Sequence, residues 1–237
     1  MKYVIRFQKT GVICYTSHLD IMKVFKRSFK RAGIKLAYSQ GFNPHPKMGF
    51  AQPLSLGYES LDEYIEFETA DAPPIPGTAI AMDKEEILEK MRELMPEGLE
   101  LLSIEEARHN KTLAANTIAA EYVIEIPIME GRPAEWPLDA GEMRDTYMGQ
   151  KEILTLKKQK KKKEPVTVNI RPKIREMMFE PSEKILRIEA LLDSGSDSNL
   201  SPELVIATVL EKFGLKVSRS DIRVLRKKIH FKQQKYN

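Results

Sequence analysis

Two consecutive βαββαβ units, the ferredoxin-like order of an α+β protein, are what this sequence predicts for residues 1–107 and 108–237. Two observations carry the expectation. Segments with a two-residue apolar alternation interchange with segments of helical period, and the same succession of such segments runs through each half. No sequence identity links the halves, so the repetition is one of pattern. A length of 237 residues suits one or two cores.

In the first half, residues 2–8 (KYVIRFQ) alternate as a strand. Ser17 reads as the N-cap of the helix that follows, Asp20 three residues on completes a weak capping box, and Gly33 ends it. Leu19, Met22, Phe25 and Phe29 recur at helical spacing with Ile21 and Ala32 beside them, while Lys23, Lys26, Arg27, Lys30 and Arg31 take the other side. A short strand is expected near residues 34–38, strands at 64–69 and 98–104, and a helix at 84–94 with Asp83 as N-cap; residues 71–78 read as a Pro-rich linker.

The second half repeats the succession with one extra strand. Strands are expected at 119–128, 152–156, 166–175 and 185–192, and a helix at 139–147. A further helix starts near Ser201 with Pro202 in its first position and stops at Gly214, and residues 219–231 close the unit partly as a strand.

Composition narrows the class. Hydrophobic residues make up 42% and charged residues 30% of the chain. No apolar run approaches the roughly 20 residues of a membrane span, so no membrane association and a cytoplasmic location are expected. Cys14 is the single cysteine and the four histidines (18, 45, 109, 230) are scattered, which predicts neither a disulfide, a metal site nor a cofactor held by this chain. The net charge of +4 conceals blocks of opposite sign. Residues 1–47 hold ten Lys and Arg against Asp20 alone, residues 59–106 are rich in Asp and Glu, and basic residues return at 157–175 and 216–235. Such segregation suits one surface that faces nucleic acid and one turned away.

The loop after the first helix sharpens this. Gly41, Asn43, Pro44, Pro46 and Gly49 exclude regular helix or strand across it, yet it carries Tyr38, Phe42, His45, Lys47 and Phe50. Aromatic rings interleaved with bases suit stacking on unpaired nucleotides while cations hold phosphates. The candidate nucleic-acid contacts are therefore Lys23, Lys26, Arg27, Lys30, Arg31, Phe42, Asn43, His45 and Lys47, joined in the second half by Arg171, Arg175 and Arg226. Arg171 precedes Pro172 in what reads as extended backbone, and the lysine-rich run 157–163 adds charge. For acid–base chemistry only His18 and His45 are available, and Ser17, His18 and Asp20 point in different directions at a helix start, so no catalytic triad is expected.

Residues 17–57, SHLD followed by AYSQGFNPHPKMGFAQPLSLG, with Ser17, His18, Asp20, Gly41, Pro44 and Pro46 as signature positions, resemble the bacterial radical-SAM-associated domain-of-unknown-function family in its free-standing form. NIRPKI (169–174) and LRKKIHF (225–231) are similar to later parts of that family. The resemblance implies a partner enzyme that uses an iron–sulfur cluster and S-adenosylmethionine, and a link to RNA. The three-cysteine cluster loop of such enzymes is missing here, which makes this chain the accessory. The function expected is RNA binding or substrate recognition for a radical SAM protein, in tRNA or rRNA modification, without catalysis in isolation. A metal-independent RNA endonuclease on the same scaffold is the alternative, by fold analogy, and a protein-binding subunit that docks through its acidic segment is a third.

Overall fold

The computed structural model describes residues 1–70, 82–107, 111–128, 136, 139–157 and 164–232. The expected linker at 71–78, His109 and Lys158 to Lys163 lie outside them. The chain is α+β and divides into two units, Met1–Thr117 with the chain end from Phe231, and Ile118–His230. Among the described residues no helix is long and apolar enough to cross a membrane.

The first unit runs β1 (Lys2–Lys9), α1 (His18–Arg31), β2 (Met48–Phe50), β3 (Glu59–Glu68), α2 (Lys84–Arg92), β4 (Leu99–Glu106) and the single turn α3 (Leu113–Asn116). Its strands lie in the order β4-β1-β3-β2, each antiparallel to its neighbour. Alternation in β1 sends Tyr3, Ile5 and Phe7 to the side on which α1 packs with Ile21, Phe25 and Phe29. Ile87, Leu88 and Met91 of α2 join the same core. Aromatic rings hold its centre. Phe7 and Phe25 have centroids 5.0 Å apart, Phe29 and Phe67 4.5 Å, and Phe25 and Phe50 5.7 Å.

Both ends of α1 are stopped by local chemistry. The Ser17 hydroxyl accepts the Asp20 N–H at 3.2 Å. At the other end Gly33, with φ +75°, donates to Lys30 O at 3.2 Å, and Ile34 donates to Phe29 O at 2.9 Å, a Schellman termination that needs the left-handed residue glycine tolerates.

Two expectations change here. The apolar stripe of α1 is centred on Ile21, Phe25, Ser28 and Phe29, which leaves Leu19 65% exposed. The edge strand is not residues 34–38, which make only isolated bridges through Leu36 and Tyr38. That segment folds back on itself, with Lys47 N–H donating to Ala37 O at 2.7 Å, so that Met48–Phe50 pairs with Phe67 to Ile65 instead. The glycine-bearing arm wins because Phe50 packs on Phe7 and Phe25.

The second unit runs β5 (Thr117–Pro127), α4 (Ala140–Met148), β6 (Leu154–Lys157), β7 (Val166–Asn169), β8 (Ile174–Pro181), β9 (Ile185–Asp193), α5 (Pro202–Lys212) and β10 (Arg223–Phe231). Its strand order is β10-β5-β9-β8, while β6 and β7 form a separate hairpin. The strand expected over 166–175 is thus broken in two by a 3-10 turn at Arg171–Lys173. Asn169 anchors that break, its side-chain oxygen accepting from the N–H groups of Ile153 and Arg171, both at 3.0 Å. Tyr147, Phe179 and Phe213 form the aromatic centre of this core.

Gly98, at the turn into β4, offers a direct check of the first unit. Its φ is +85°, and a Cβ there would meet Thr10 O at 2.3 Å. Gly98→Ala is expected to destabilise the protein by about 2 kcal/mol or more, because backbone strain and a collision with a main-chain oxygen add. Urea unfolding of the two proteins checks it.

Candidate nucleic-acid interface

Burial of one face of α1 decides where its cations go. At 100° per residue, positions 23, 26, 27, 30 and 31 share an arc of about 140° opposite the buried stripe. All five side chains are exposed. Lys23 is paired with Asp20 at 2.9 Å, whose carboxyl is held below its ordinary range chiefly by the Ser17 hydroxyl. Lys26, Arg27, Lys30 and Arg31 make no ion pair among the described residues. Four cations without an ion pair within two turns repel one another and concentrate counterions, which an incoming polyanion would release.

The loop leaves from the end of α1 that carries Lys30 and Arg31. Its arms are tied by Ser39 N–H to His45 O at 2.8 Å and by His45 N–H to the Ser39 hydroxyl at 3.0 Å. The tip from Gln40 to His45 is exposed, and Phe42 is fully so. An aromatic ring held entirely in water at the end of a bonded loop has no packing role in the unit, so the hydrophobic effect favours any partner that covers it. Tyr38 is half-exposed, and Asn43, Pro44 and His45 stand beside Phe42 in sequence with exposed side chains. Lys47 differs from the four cations of α1, being paired with Glu68 at 2.7 Å.

His18 is placed differently from His45. It is the first residue of α1, half-buried, with its ring edge-on to Phe50 at 5.0 Å. It borders a recess of about 20 Å³, room for about one water molecule, shared with Lys9, Gln52 and Glu63. Lys9 and Glu63 are both 3% exposed. The Lys9 ammonium donates to Cys14 O at 3.1 Å and Thr16 O at 3.0 Å, tying the start of the helix to β1. Burial lowers the pKa of Lys9, against an opposing pull from Cys14 and Glu63. Burial and the Lys9 charge likewise lower that of His18, which favours a neutral imidazole. Ser17 turns the other way, toward Asp20 at 2.7 Å, so no triad forms.

Lys9, Gln52 and Glu63 are absent from the residues expected from sequence. For Lys9 the signal exists, since it continues the inward parity of Tyr3, Ile5 and Phe7. Glu63 belongs to the acidic segment, three of whose carboxylates prove buried in β3 rather than displayed. Asp62 accepts from Arg6 at 2.6 Å and from the Tyr64 hydroxyl at 2.9 Å, while Glu66 pairs with Lys2 at 2.7 Å and accepts the Leu113 N–H at 3.2 Å.

In the second unit the expected cations separate. Arg171 sits in the 3-10 turn, not in extended backbone, with Nε donating to Met148 O at 2.9 Å. Arg175 is exposed and donates to Asp193 at 2.7 Å and to Ile118 O at 2.9 Å. Arg226 leaves the accessible set. It is 2% exposed, on the inward parity of Val224, with its guanidinium over the Tyr122 ring at 5.6 Å. His230 meets Glu121 at 2.6 Å. Among the described residues no three His, Cys, Asp or Glu side chains gather as a metal ion requires.

An exposed cationic helix followed by an aromatic loop is the class of surface this unit presents. The chain belongs to DUF2344, a family of uncharacterized proteins conserved in bacteria, whose profile matches residues 2–202. No curated protein matches it. Among solved structures, an unknown protein from Galdieria sulphuraria aligns over 94% of this chain and 95% of its own at 14% identity, with a TM-score of 0.26, too low to support a comparison of folds.

The recess gives a pH test. A histidine whose folded pKa lies below its free value of 6.5 adds stability above that pH, which is lost as pH falls through the folded pKa. The native protein is expected to lose stability from about pH 7.5 to about pH 5.5, and His18→Gln to lose measurably less. Urea midpoints of both proteins at the two pH values check it.

Proposed function

We propose that this protein is an RNA-binding accessory subunit that holds a structured RNA, of the tRNA or rRNA kind, for modification by a radical SAM enzyme in the cytoplasm. The observation that carries the RNA part is the run of four cations on α1, without ion pairs among the described residues, joined to a loop whose tip exposes Phe42. Cations on one helix face hold phosphates without reading sequence, and an exposed ring offers a stacking platform to an unpaired base. The partner enzyme, with its iron–sulfur cluster and S-adenosylmethionine, is supported by the resemblance of residues 17–57 alone.

The scaffold proposed is a tandem pair of ferredoxin-like units. The strand orders β4-β1-β3-β2 and β10-β5-β9-β8 support it, with the β6–β7 hairpin as an insertion in the second.

One observation favours a second reading, RNA cleavage. His18 is held toward its neutral form beside Lys9, the arrangement a general base needs. Against it, the recess has room for no more than a water molecule.

Replacing Lys26, Arg27, Lys30 and Arg31 together by Glu is expected to weaken retention of total RNA by about tenfold or more. It should also flatten the dependence of log K on log salt by about 0.7 to 0.9 for each phosphate that the helix no longer neutralises. Filter binding across a salt series, with circular dichroism to verify folding, checks this; a folded variant that binds unchanged sinks the interface. Phe42→Ala is expected to cost about 1–3 kcal/mol of affinity for single-stranded RNA with an unaltered melting temperature. Gel analysis of the same incubations, with His18→Ala alongside, decides between retention and cleavage: intact RNA supports the accessory role, and cleavage abolished by His18→Ala supports the second reading.

A further inference from the structure

The last strand in the sheet of the second unit, β8, is an open edge. β9 pairs with one side of it, and no strand among the described residues pairs with the other. The N–H and C=O groups of every second residue therefore point away from β9, with no backbone partner among those residues. Protein edges of this kind are commonly spoiled by a bulge or covered by a helix or loop. The bulge here falls at the start, between Ile174 and Glu176, so Glu176 to Pro181 keep a regular register. Met178, in the middle of that run, is 61% exposed.

A groove of about 950 Å³ follows this edge. Its strand wall is the unbroken run 175–179. Side chains alternate between the two faces of a strand, so a groove that touches five successive residues lies along the backbone edge and over neither face. Met177 and Phe179 are each 3% exposed, with Phe179 packed on Tyr147 and Phe213, so an incoming chain would meet their main chain and not their side chains. The opposite wall is positions 140, 141, 144, 145, 148 and 149 of α4 and its cap, one side of a helix. A strand edge facing a helix is the geometry in which an extended peptide adds to a sheet, its main chain giving affinity and its alternate side chains specificity.

Charge selects the occupant. Arg171 lines the groove at the start of β8, its Nε donating to Met148 O at 2.9 Å and its Nη1 3.5 Å from Ile174 O. Its Nη2 group has no partner among the described residues. A chain that runs antiparallel to β8 ends at this guanidinium, where a terminal carboxylate would complete its bonding. Glu176 is exposed and has no ion pair among the described residues, which favours a cation opposite it, while Met178 favours an apolar residue. A second copy of β8 fits less well, because pairing centred on Met178 would set Glu176 against Glu180.

We infer that the groove between β8 and α4 takes the C-terminal segment of a partner protein as an added antiparallel strand, with an apolar residue opposite Met178, a cation opposite Glu176 and the terminal carboxylate on Arg171. The site does not rest on the RNA interface proposed on α1.

Fluorescence anisotropy on the full chain tests it, with labelled hexapeptides that carry valine third, lysine fifth and a free C-terminus, the other positions being randomised. Saturable binding by a subset is expected. Amidation of the C-terminus should weaken the best binder about tenfold. Methylation of its backbone nitrogens in one alternate set should abolish binding, and in the other set be tolerated, because only every second N–H of an added strand faces β8. Both changes are made in the peptide, so the folding of the protein does not enter. Glu176→Lys should weaken binding as well, and glutamate at the fifth peptide position should recover it. The α1 charge-reversal variant should bind the peptide unchanged, which separates failure of this site from failure of the RNA interface. No saturable binding, or binding indifferent to amidation or to methylation of both sets, overturns the inference. So does a native dimer, seen by analytical ultracentrifugation, that Met178→Lys dissociates, since a second copy then covers the edge.

Discussion

The first unit depends on the seating of α1. Phe25 and Phe29 are wholly buried and Ile21 nearly so, and at about 1.5–3 kcal/mol for each large side chain their burial fixes the rotation of the helix against β1 and β3. A turn of the helix about its axis would expose phenylalanine and drive ammonium groups into the core, at a desolvation cost no surface interaction offsets. The display of Lys26, Arg27, Lys30 and Arg31 is therefore a consequence of the core. It needs no further interaction to hold it in place.

The same seating organises what stands at either end of α1. The Schellman termination at Gly33 launches the loop, whose internal bonds hold Phe42 out in water. At the start, Lys9 reaches from β1 to the carbonyl oxygens of Cys14 and Thr16, so a buried charge and not an apolar contact joins strand to helix there. Removing a partner from such a place leaves an unsatisfied polar group, and burial there disfavours the charged forms of both Lys9 and His18. Cys14 lies beside it, buried, with its thiol pushed up by that burial.

The second unit uses its cations for different purposes. Arg226 packs on Tyr122, Lys227 and Arg187 share Glu189, and Arg175 joins Asp193, so much of the basic character legible at its end is internally compensated. Arg171 differs from these, oriented by carbonyl oxygens and without a carboxylate partner among the described residues. A basic count along a segment therefore overstates the charge offered to a partner, and the pairing of each group decides.

By itself the sequence determined the local events. Ser17, Gly33, Ser201 and Pro202 placed helix ends because capping depends on neighbours in the chain, and alternation placed β1, β5 and β9 because a half-buried strand needs one apolar face. The cationic side of α1 and the exposure of the GFNPH tip were legible for the same reason. Tertiary structure alone decided the rest. Which arm of the 34–50 segment joins β3 depended on the fit of Phe50 between Phe7 and Phe25, contacts made by residues far apart in the chain. Arg171 was turned by the Asn169 side chain and Arg226 was buried over Tyr122, and neither partner is marked by spacing or composition. The recess at His18 joins residues 9, 18, 52 and 63, and the groove joins α4 to β8; both exist only once the strands are in register, because surfaces made from separate segments have no local signal.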